Sequence, residues 1–373
     1  MPKKQIKSEE FKRFLIIVRQ ANGDVLLSSS LVQGLRIAYP EATIDLLVNE
    51  HTRELAEAIP EVNQVLAYDY AWKKKGFFYR YWKEFELLKK IWHRYDLAIS
   101  LTASDRSVIF AMLAGKYSIG VVDEDRAKSW WKRKYLDRAY FLNPRKHTVL
   151  NYMKALEFLN ARPQKIQVIL SVDPSIREKV QKDLDALGIK KFFIFHPSAK
   201  NDYKVYPKAS RDRLFRYFDQ AGISLVVTGG KSPLDEAISA ELPSLAHLHN
   251  FIGKYSIKEL IALTELSEAY VGMDTLNMHL AASLNKPIFA IFGPTNPLIW
   301  SPWSNEMQRG SSVQSAPRIQ YGNITLFQAN LPCVPCQRAG CDDKGGRSEC
   351  LFDLSPEFVW HGIQDMIRPF LKG

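Results

Sequence analysis

Val271-Gly272-Met273-Asp274-Thr275-Leu276-Asn277-Met278-His279-Leu280-Ala281-Ala282 is the stretch on which the reading of the fold turns. An apolar run ends in a polar turn, and a helical pattern begins at once. Lys286-Pro287 and a second apolar run, ending in Phe292-Gly293-Pro294-Thr295, follow closely. The same order of parts stands near the start of the chain, where the apolar residues 14–18 lead into Arg19-Gln20-Ala21-Asn22-Gly23-Asp24-Val25-Leu26. A strand, a tight polar turn and a helix start place the turn at the carboxyl end of a parallel strand, where open α/β sheets bind ligands. The first turn offers a carboxylate, Asp24. The second offers a carboxylate, a hydroxyl, helix amides and an imidazole. Two such turns in two halves of one chain predict two α/β domains facing across a cleft.

Working outward, 373 residues exceed one ordinary core and suit two domains. In the first half a helix is predicted over 25–39, ended by Pro40, with strands over 14–18, 43–48, 65–67, 97–101 and 117–121. This βαβ rhythm predicts a parallel sheet covered on both faces. A second series runs through strands at 192–195, ending in His196-Pro197-Ser198, at 224–227, ending in Thr228-Gly229-Gly230, and at 269–271 and 288–291. The pattern is weakest between Pro163 and Pro174, so the domains are set at residues 1–165 and 175–350. Residues 355–373 carry a terminal helix with Ser355 as N-cap, Pro356 at its first position and Glu357 in its first turn, expected to pack back on the N-terminal domain.

Bulk properties narrow the function. No apolar run approaches the ~20 residues that span a bilayer. Met1-Pro2-Lys3-Lys4-Gln5 is charged and lacks the apolar centre of a secretory signal, so a cytoplasmic protein is expected. The formal charge of +11 calls for an anionic partner: nucleic acid, a membrane surface or the substrate. No zinc finger, RNA-recognition signature or basic coiled coil is present, which argues against nucleic acid. No Gly-x-Gly-x-x-Gly turn follows a strand, which argues against an NAD-dependent oxidoreductase.

Several segments, in order, resemble one family. They are the opening strand with Gly23-Asp24; His196-Pro197-Ser198 followed by Lys204-x-Tyr206-Pro207; Thr228-Gly229-Gly230; and Gly-x-Asp-Thr-x-x-x-His-Leu-Ala-Ala over 272–282 with Gly293-Pro294-Thr295. The chain resembles glycosyltransferases of the lipopolysaccharide heptosyltransferase type. The resemblance implies the GT-B fold, two facing Rossmann-like domains, with the acceptor held by the N-terminal one. It implies inverting, metal-independent transfer of a heptose from a nucleotide-linked donor, ADP first, to a lipopolysaccharide core. It assigns Asn22 and Gly23 to the acceptor side. To the donor it assigns Ser198, Lys204, Gly229, Gly230, Asp274, Thr275 and His279. The chain departs from the family pattern at Leu276, where a small residue is usual, and at Gln20-Ala21-Asn22. After the glycine turn it has Lys231-Ser232-Pro233 and reaches acid only at Asp235-Glu236. That segment lies near the nucleotide in the family, so a same-fold transferase with another nucleotide sugar is the first alternative. A non-enzymatic sugar-nucleotide or lipid-binding protein is the second, and it would need no base at Asp24.

The residue types fit that chemistry. Inverting transfer needs a base for the acceptor hydroxyl and positive groups for the departing diphosphate. Asp24 is the expected base, though Asp is also a preferred N-cap. Lys204 supplies a point charge for phosphate, against the reading of an ordinary surface lysine. Ser198 adds a hydroxyl, and the helix after Asp274-Thr275 adds amides and a dipole. Thr275 is expected on phosphate or sugar. Asp274, which a diphosphate would repel, is expected on a sugar hydroxyl or as a cap. His279 stands four residues after Thr275, on about the same helix face, where a structural role competes with a ligand contact.

Two further features stand outside this scheme. Cys333, Cys336, Cys341 and Cys350 form a C-x2-C-x4-C-x8-C pattern, open to structural zinc, a disulfide or free thiols. None of these makes a metal catalytic, and no cofactor is expected for the reaction. Lys73-Lys74-Lys75 precede large residues at helical spacing, Phe77, Phe78, Tyr81, Trp82, Phe85, Leu88, Ile91 and Trp92; Trp130-Trp131-Lys132-Arg133-Lys134-Tyr135 repeats the character. Either these helices pack on the core or they meet an anionic membrane from its cytoplasmic side, where a lipid-linked oligosaccharide acceptor would reside.

Overall fold

The computed structural model describes residues 11–367. The chain divides between Ser171 and Val172 into two compact units. The N-terminal pentapeptide read above lies outside the described residues.

The first unit is built on six parallel strands: β1 (Arg13–Val18), β2 (Thr43–Asn49), β3 (Gln64–Tyr68), β4 (Tyr95–Ser100), β5 (Gly115–Val121) and β6 (Arg138–Tyr140). Their order is β3-β2-β1-β4-β5-β6. Phe14 to Val18 are fully buried, as a central strand covered by helices on both faces requires. Chain order reverses at β1, with β2 on one side and β4 on the other. The turn after β1 therefore opens at a topological switch point.

The second unit repeats the scheme. β7 (Phe193–His196), β8 (Leu225–Val227), β9 (Leu248–Asn250), β10 (Ala269–Met273), β11 (Ile288–Phe292), β12 (Arg318–Tyr321) and β13 (Ile324–Gln328) lie in the order β12-β13-β11-β10-β7-β8-β9. Here the switch point is at β7, flanked by β8 and β10. Gly272 on β10 faces His196 on β7, and a Cβ on it would stand 2.4 Å from the His196 carbonyl oxygen. Only glycine lets the two strand ends close up there.

Some expectations are revised. The sheet of the second unit is mixed, because β12 pairs antiparallel with β13. Edge strand β9 lacks an apolar run, and all three of its residues are only partly buried. The single helix expected over 25–39 is two, Asn22–Leu27 and Ser29–Ala38. Ser28 and Ser30 donate their hydroxyls to the carbonyls of Val25 and Leu27, at 2.7 Å each, which draws those oxygens off the helical ladder. The terminal helix, Pro356–Ile367, buries Val359, Trp360 and Ile363 in the second unit's own core, with Trp360 stacked on Tyr217.

Candidate active site

The polar turn after β10 is the richest site in the second unit. Thr275 is the N-cap of the Leu276–Ser283 helix, yet its side chain makes no cap bond. Its Oγ1 and the Nδ1 of His279 are buried with no hydrogen-bond partner. Burial holds the His279 imidazole neutral, its pKa pushed down to about 4, with Asp274 working to raise it and Lys204 to lower it. Every residue from Asn277 to Ser283 is buried, so this helix has no solvated face.

Asp274 does not cap the helix. Its Oδ2 receives the Lys204 ammonium at 3.0 Å, from the short turn Asp202–Lys204 that follows β7. Residues expected to act separately on sugar and phosphate thus form one ion pair, 70 residues apart in sequence. Lys204 remains partly exposed while Asp274 is largely covered.

A further cluster centres on His196, a motif residue to which the sequence reading gave no role. His196 Nδ1 lies 3.0 Å from Thr228 Oγ1 and 2.6 Å from Asn277 Nδ2. The cluster ties the ends of β7 and β8 to the helix after β10. Burial pushes the His196 pKa down to about 4, against the opposing pull of Asp235. The letters of His196-Pro197-Ser198 were a visible signal; its partner Asn277 was hidden among the helix residues.

Gly229 and Gly230 turn directly over a carboxylate. A Cβ on either would stand within 3.0 Å of an Asp235 oxygen. Asp235 reaches back through a capping box with Ser232, whose hydroxyl is 2.5 Å away. Burial works to raise its pKa, but hydrogen bonds from Ser198, Ser232 and backbone amides hold it below the usual carboxylate range. The acid that the sequence lacks immediately after the glycine turn is therefore brought back beneath it by one turn of helix. Ser198 is spent on that support.

In the first unit Asp24 is the third residue of the Asn22–Leu27 helix, whose N-cap is Ala21, so it is not the cap. Its Oδ1 accepts a hydrogen bond from the buried Tyr152 hydroxyl at 2.8 Å. The turn is held from outside by Asn49, which donates to the Gln20 carbonyl, and by Thr102, which accepts from the Arg19 amide. Asn22 Oδ1 is buried without a partner.

The family model of glycosyltransferase family 9 (heptosyltransferase) matches residues 85–326. The chain belongs to that family. It is 26% identical over 295 residues to "Lipopolysaccharide heptosyltransferase 3" of Escherichia coli, covering 77% of this chain and 85% of the relative. Among solved structures, glycosyl transferase family 9 from Veillonella parvula superposes with a TM-score of 0.76 at 18% identity, covering 95% of this chain and 97% of that one. The E. coli ADP-heptose lps heptosyltransferase II superposes with 0.72 at 20% identity, covering 95% and 98%. The fold is that of these heptosyltransferases, GT-B in class.

In this family 9 glycosyltransferase the remaining features divide. The Asp123-Glu124-Asp125 and Asp183-Leu184-Asp185 stretches each place two aspartates one residue apart, but all four are engaged locally. Asp125 caps the Arg126–Tyr135 helix and Asp123 receives Lys132. Asp183 accepts from Tyr255 and Asp185 from Gln181. Among the described residues no group of three or more His, Cys, Asp or Glu is set to hold a metal, and the four cysteines are free thiols. They are gathered nonetheless: the Cys350 pKa is pushed up to about 11 by burial and then by the charges of Cys336, Cys341 and Cys333.

The aromatic stripe faces outward. Of the Phe77–Ile91 helix only Glu84, Leu87 and Ile91 are buried, while Phe77, Phe78, Tyr81, Trp82 and Phe85 are exposed, Phe78 to 87%. Glu84 anchors the helix, accepting from Tyr68 at 2.6 Å, Arg80 at 2.9 Å and Arg106 at 3.2 Å. The second basic cluster is mixed, with Trp130, Lys134 and Tyr135 exposed and its other basic residues engaged by the protein. Lys132 is 2% exposed and reaches the Ala103 carbonyl and Asp105. Arg133 donates to the Asp123 and Glu124 carbonyls. Among the described residues no helix is long and apolar enough to cross a membrane.

Proposed function

We propose that this chain is an inverting, metal-independent heptosyltransferase that moves a heptose from an ADP-linked donor to a lipopolysaccharide core acceptor, with Asp24 as general base. The observation that carries the reading is the pair of orphaned polar atoms, Thr275 Oγ1 and His279 Nδ1, at the start of a buried helix beside the Lys204 ammonium. An unmade hydrogen bond on a buried group costs roughly 1–3 kcal/mol. Diphosphate oxygens would satisfy both atoms, and the helix dipole and Lys204 favour the same negative charge.

In the step, the acceptor hydroxyl oxygen attacks the anomeric carbon from the face opposite the diphosphate. A new C–O bond forms as the bond to the diphosphate oxygen breaks, and that electron pair leaves with ADP. The hydroxyl proton passes to Asp24, and Lys204, Thr275 and His279 stabilise the departing charge. Asp274 aligns Lys204 and orients a sugar hydroxyl. ADP is preferred because a solved relative of the same fold is an ADP-heptose transferase. The test is transfer to a delipidated core by purified protein, comparing ADP-heptose with other nucleotide sugars and determining the anomeric configuration of the product. Nucleotide binding without transfer would mark a binding protein instead.

A second donor reading rests on Lys231. It lines a hollow of about 410 Å³ with Gly230, Glu236 and Gly253, beside the glycine turn. Efficient transfer from a different nucleotide sugar, with ADP-heptose inert, would favour it.

The enzyme is proposed to work at the cytoplasmic face of the membrane, on a lipid-linked acceptor. The exposed aromatics of the Phe77–Ile91 helix, next to Lys73, Lys74 and Lys75, suit an anionic interface. A structural metal at the four cysteines is a separate proposal. It is supported by the nearness of Cys333, Cys336 and Cys341 to Cys350. About one metal ion per purified chain, with chelation lowering the melting temperature, is the expected result.

A further inference from the structure

We infer that Tyr152 is a positioning residue for the Asp24 carboxylate, an inference that rests on the reading of Asp24 as the base. Tyr152 is 1% exposed, and its hydroxyl donates to Asp24 Oδ1 at 2.8 Å across 128 residues of sequence. Burial, and then the Asp24 charge, raise its ionisation far above the ordinary phenol value. At any working pH it is a neutral donor, and the carboxylate is the acceptor.

The scaffold holds that hydroxyl still. Tyr152 lies mid-way along the Thr148–Glu157 helix, which begins with His147 accepting from the Val149 amide. This helix packs tightly on the one that follows the Asp24 turn. At Gly34 a Cβ would stand 2.6 Å from Leu156 and 3.0 Å from Met153, so the two helices meet at a glycine. The Tyr152 helix is thus fixed against Ser29–Ala38, the helix that follows directly on the Asn22–Leu27 segment bearing Asp24.

The chemistry of the contact matters more than its strength. A neutral phenol restricts the plane of the carboxylate and brings no positive charge to it. A base held within a narrow range of angles keeps the reacting oxygen in line, and small misplacements of such a group are costly in rate.

Tyr152→Phe keeps the ring and its packing and removes only the hydroxyl. Turnover is expected to fall roughly 10-fold, with donor KM and ADP affinity unchanged. In the Asp24→Asn background the same substitution should cost less than twofold, because the group it aligns has gone. A cycle of the four proteins, each checked for the parent's melting behaviour, decides it. Parent-like turnover of Tyr152→Phe overturns the inference while leaving the base reading intact. An equal loss in both backgrounds overturns it in favour of a structural role. Should Asp24→Asn itself turn over like the parent, the base reading falls and this inference with it. If Tyr152→Phe melts well below the parent, Tyr152→Trp, which restores a ring N–H donor, provides the second variant: recovery of turnover relative to Phe supports positioning, and none overturns it.

Discussion

The two polar turns that follow β1 and β10 are built to one local plan, and their aspartates meet different groups. Each follows a central parallel strand and runs into a helix, and each carries an aspartate. Asp24 meets a neutral phenol; Asp274 meets an ammonium. A carboxylate that accepts from a phenol keeps its charge and can take a proton. One paired with lysine is spent electrostatically and serves to hold that lysine in place. In both cases that partner comes from elsewhere in the chain.

The sharpest way to break this contrast is to neutralise each aspartate in turn. Asp24→Asn is expected to lower kcat by ~10²-fold or more with donor affinity retained. Asp274→Asn should instead act mainly on donor KM and nucleotide affinity, through a displaced Lys204. Steady-state kinetics with calorimetry separates the two. Matching profiles for both variants would abolish the distinction drawn here.

Removing the donor-side contacts comes next in size. Lys204→Ala and Thr275→Ala should each weaken ADP binding by roughly 1.5–3 kcal/mol, the range for a hydrogen bond to a charged group. Unchanged affinity in both, measured by calorimetry, would place the diphosphate elsewhere.

The His279 imidazole allows a subtler test. Its folded pKa, about 4, lies below the ordinary 6.5, so the folded state disfavours the proton. Its stabilising contribution is whole above pH 6.5 and is lost as pH falls through 4. His279→Gln should flatten the decline of melting temperature over that window. An unaltered profile would show that this histidine is not buried neutral.

The smallest expected effects separate the first unit's basic residues. Replacing Lys73, Lys74 and Lys75 with Gln should weaken binding to anionic vesicles at ~1 kcal/mol per charge, more so at low salt. Activity on a delipidated acceptor should hardly change. Lys132→Gln should instead lower the melting temperature and leave vesicle binding alone, since Lys132 is 2% exposed and ion-paired. Vesicle binding indifferent to all four lysines would make the charged aromatic face an ordinary surface.

Much of the fold was legible because parallel strands buried on both faces read as short apolar runs, as 14–18 and 288–291 do. What escaped were elements without such runs, β9 at an edge and the β12–β13 hairpin. In the site, strand-end glycines and the aspartates beside them stood out because turns of this kind restrict residue type. Asp235 was set aside as too far from the glycine turn, since linear distance does not show a capping box folding back. The burial of Lys132 was not legible because a run of charges carries no mark of which one is inside.

The amino-acid order by itself determined the two strand–turn–helix sites and the family they belong to, since periodicity, glycine and capping are local and act over a few residues. Only the tertiary structure decided what each site residue touches: Tyr152 on Asp24, Lys204 on Asp274, Asn277 on His196, Ser198 on Asp235. Most of those contacts join residues far apart in sequence, and they arise when separate strands and helices are packed into one core. A hydrogen bond is directional over about 3 Å, and nothing in a linear pattern specifies positions to that tolerance.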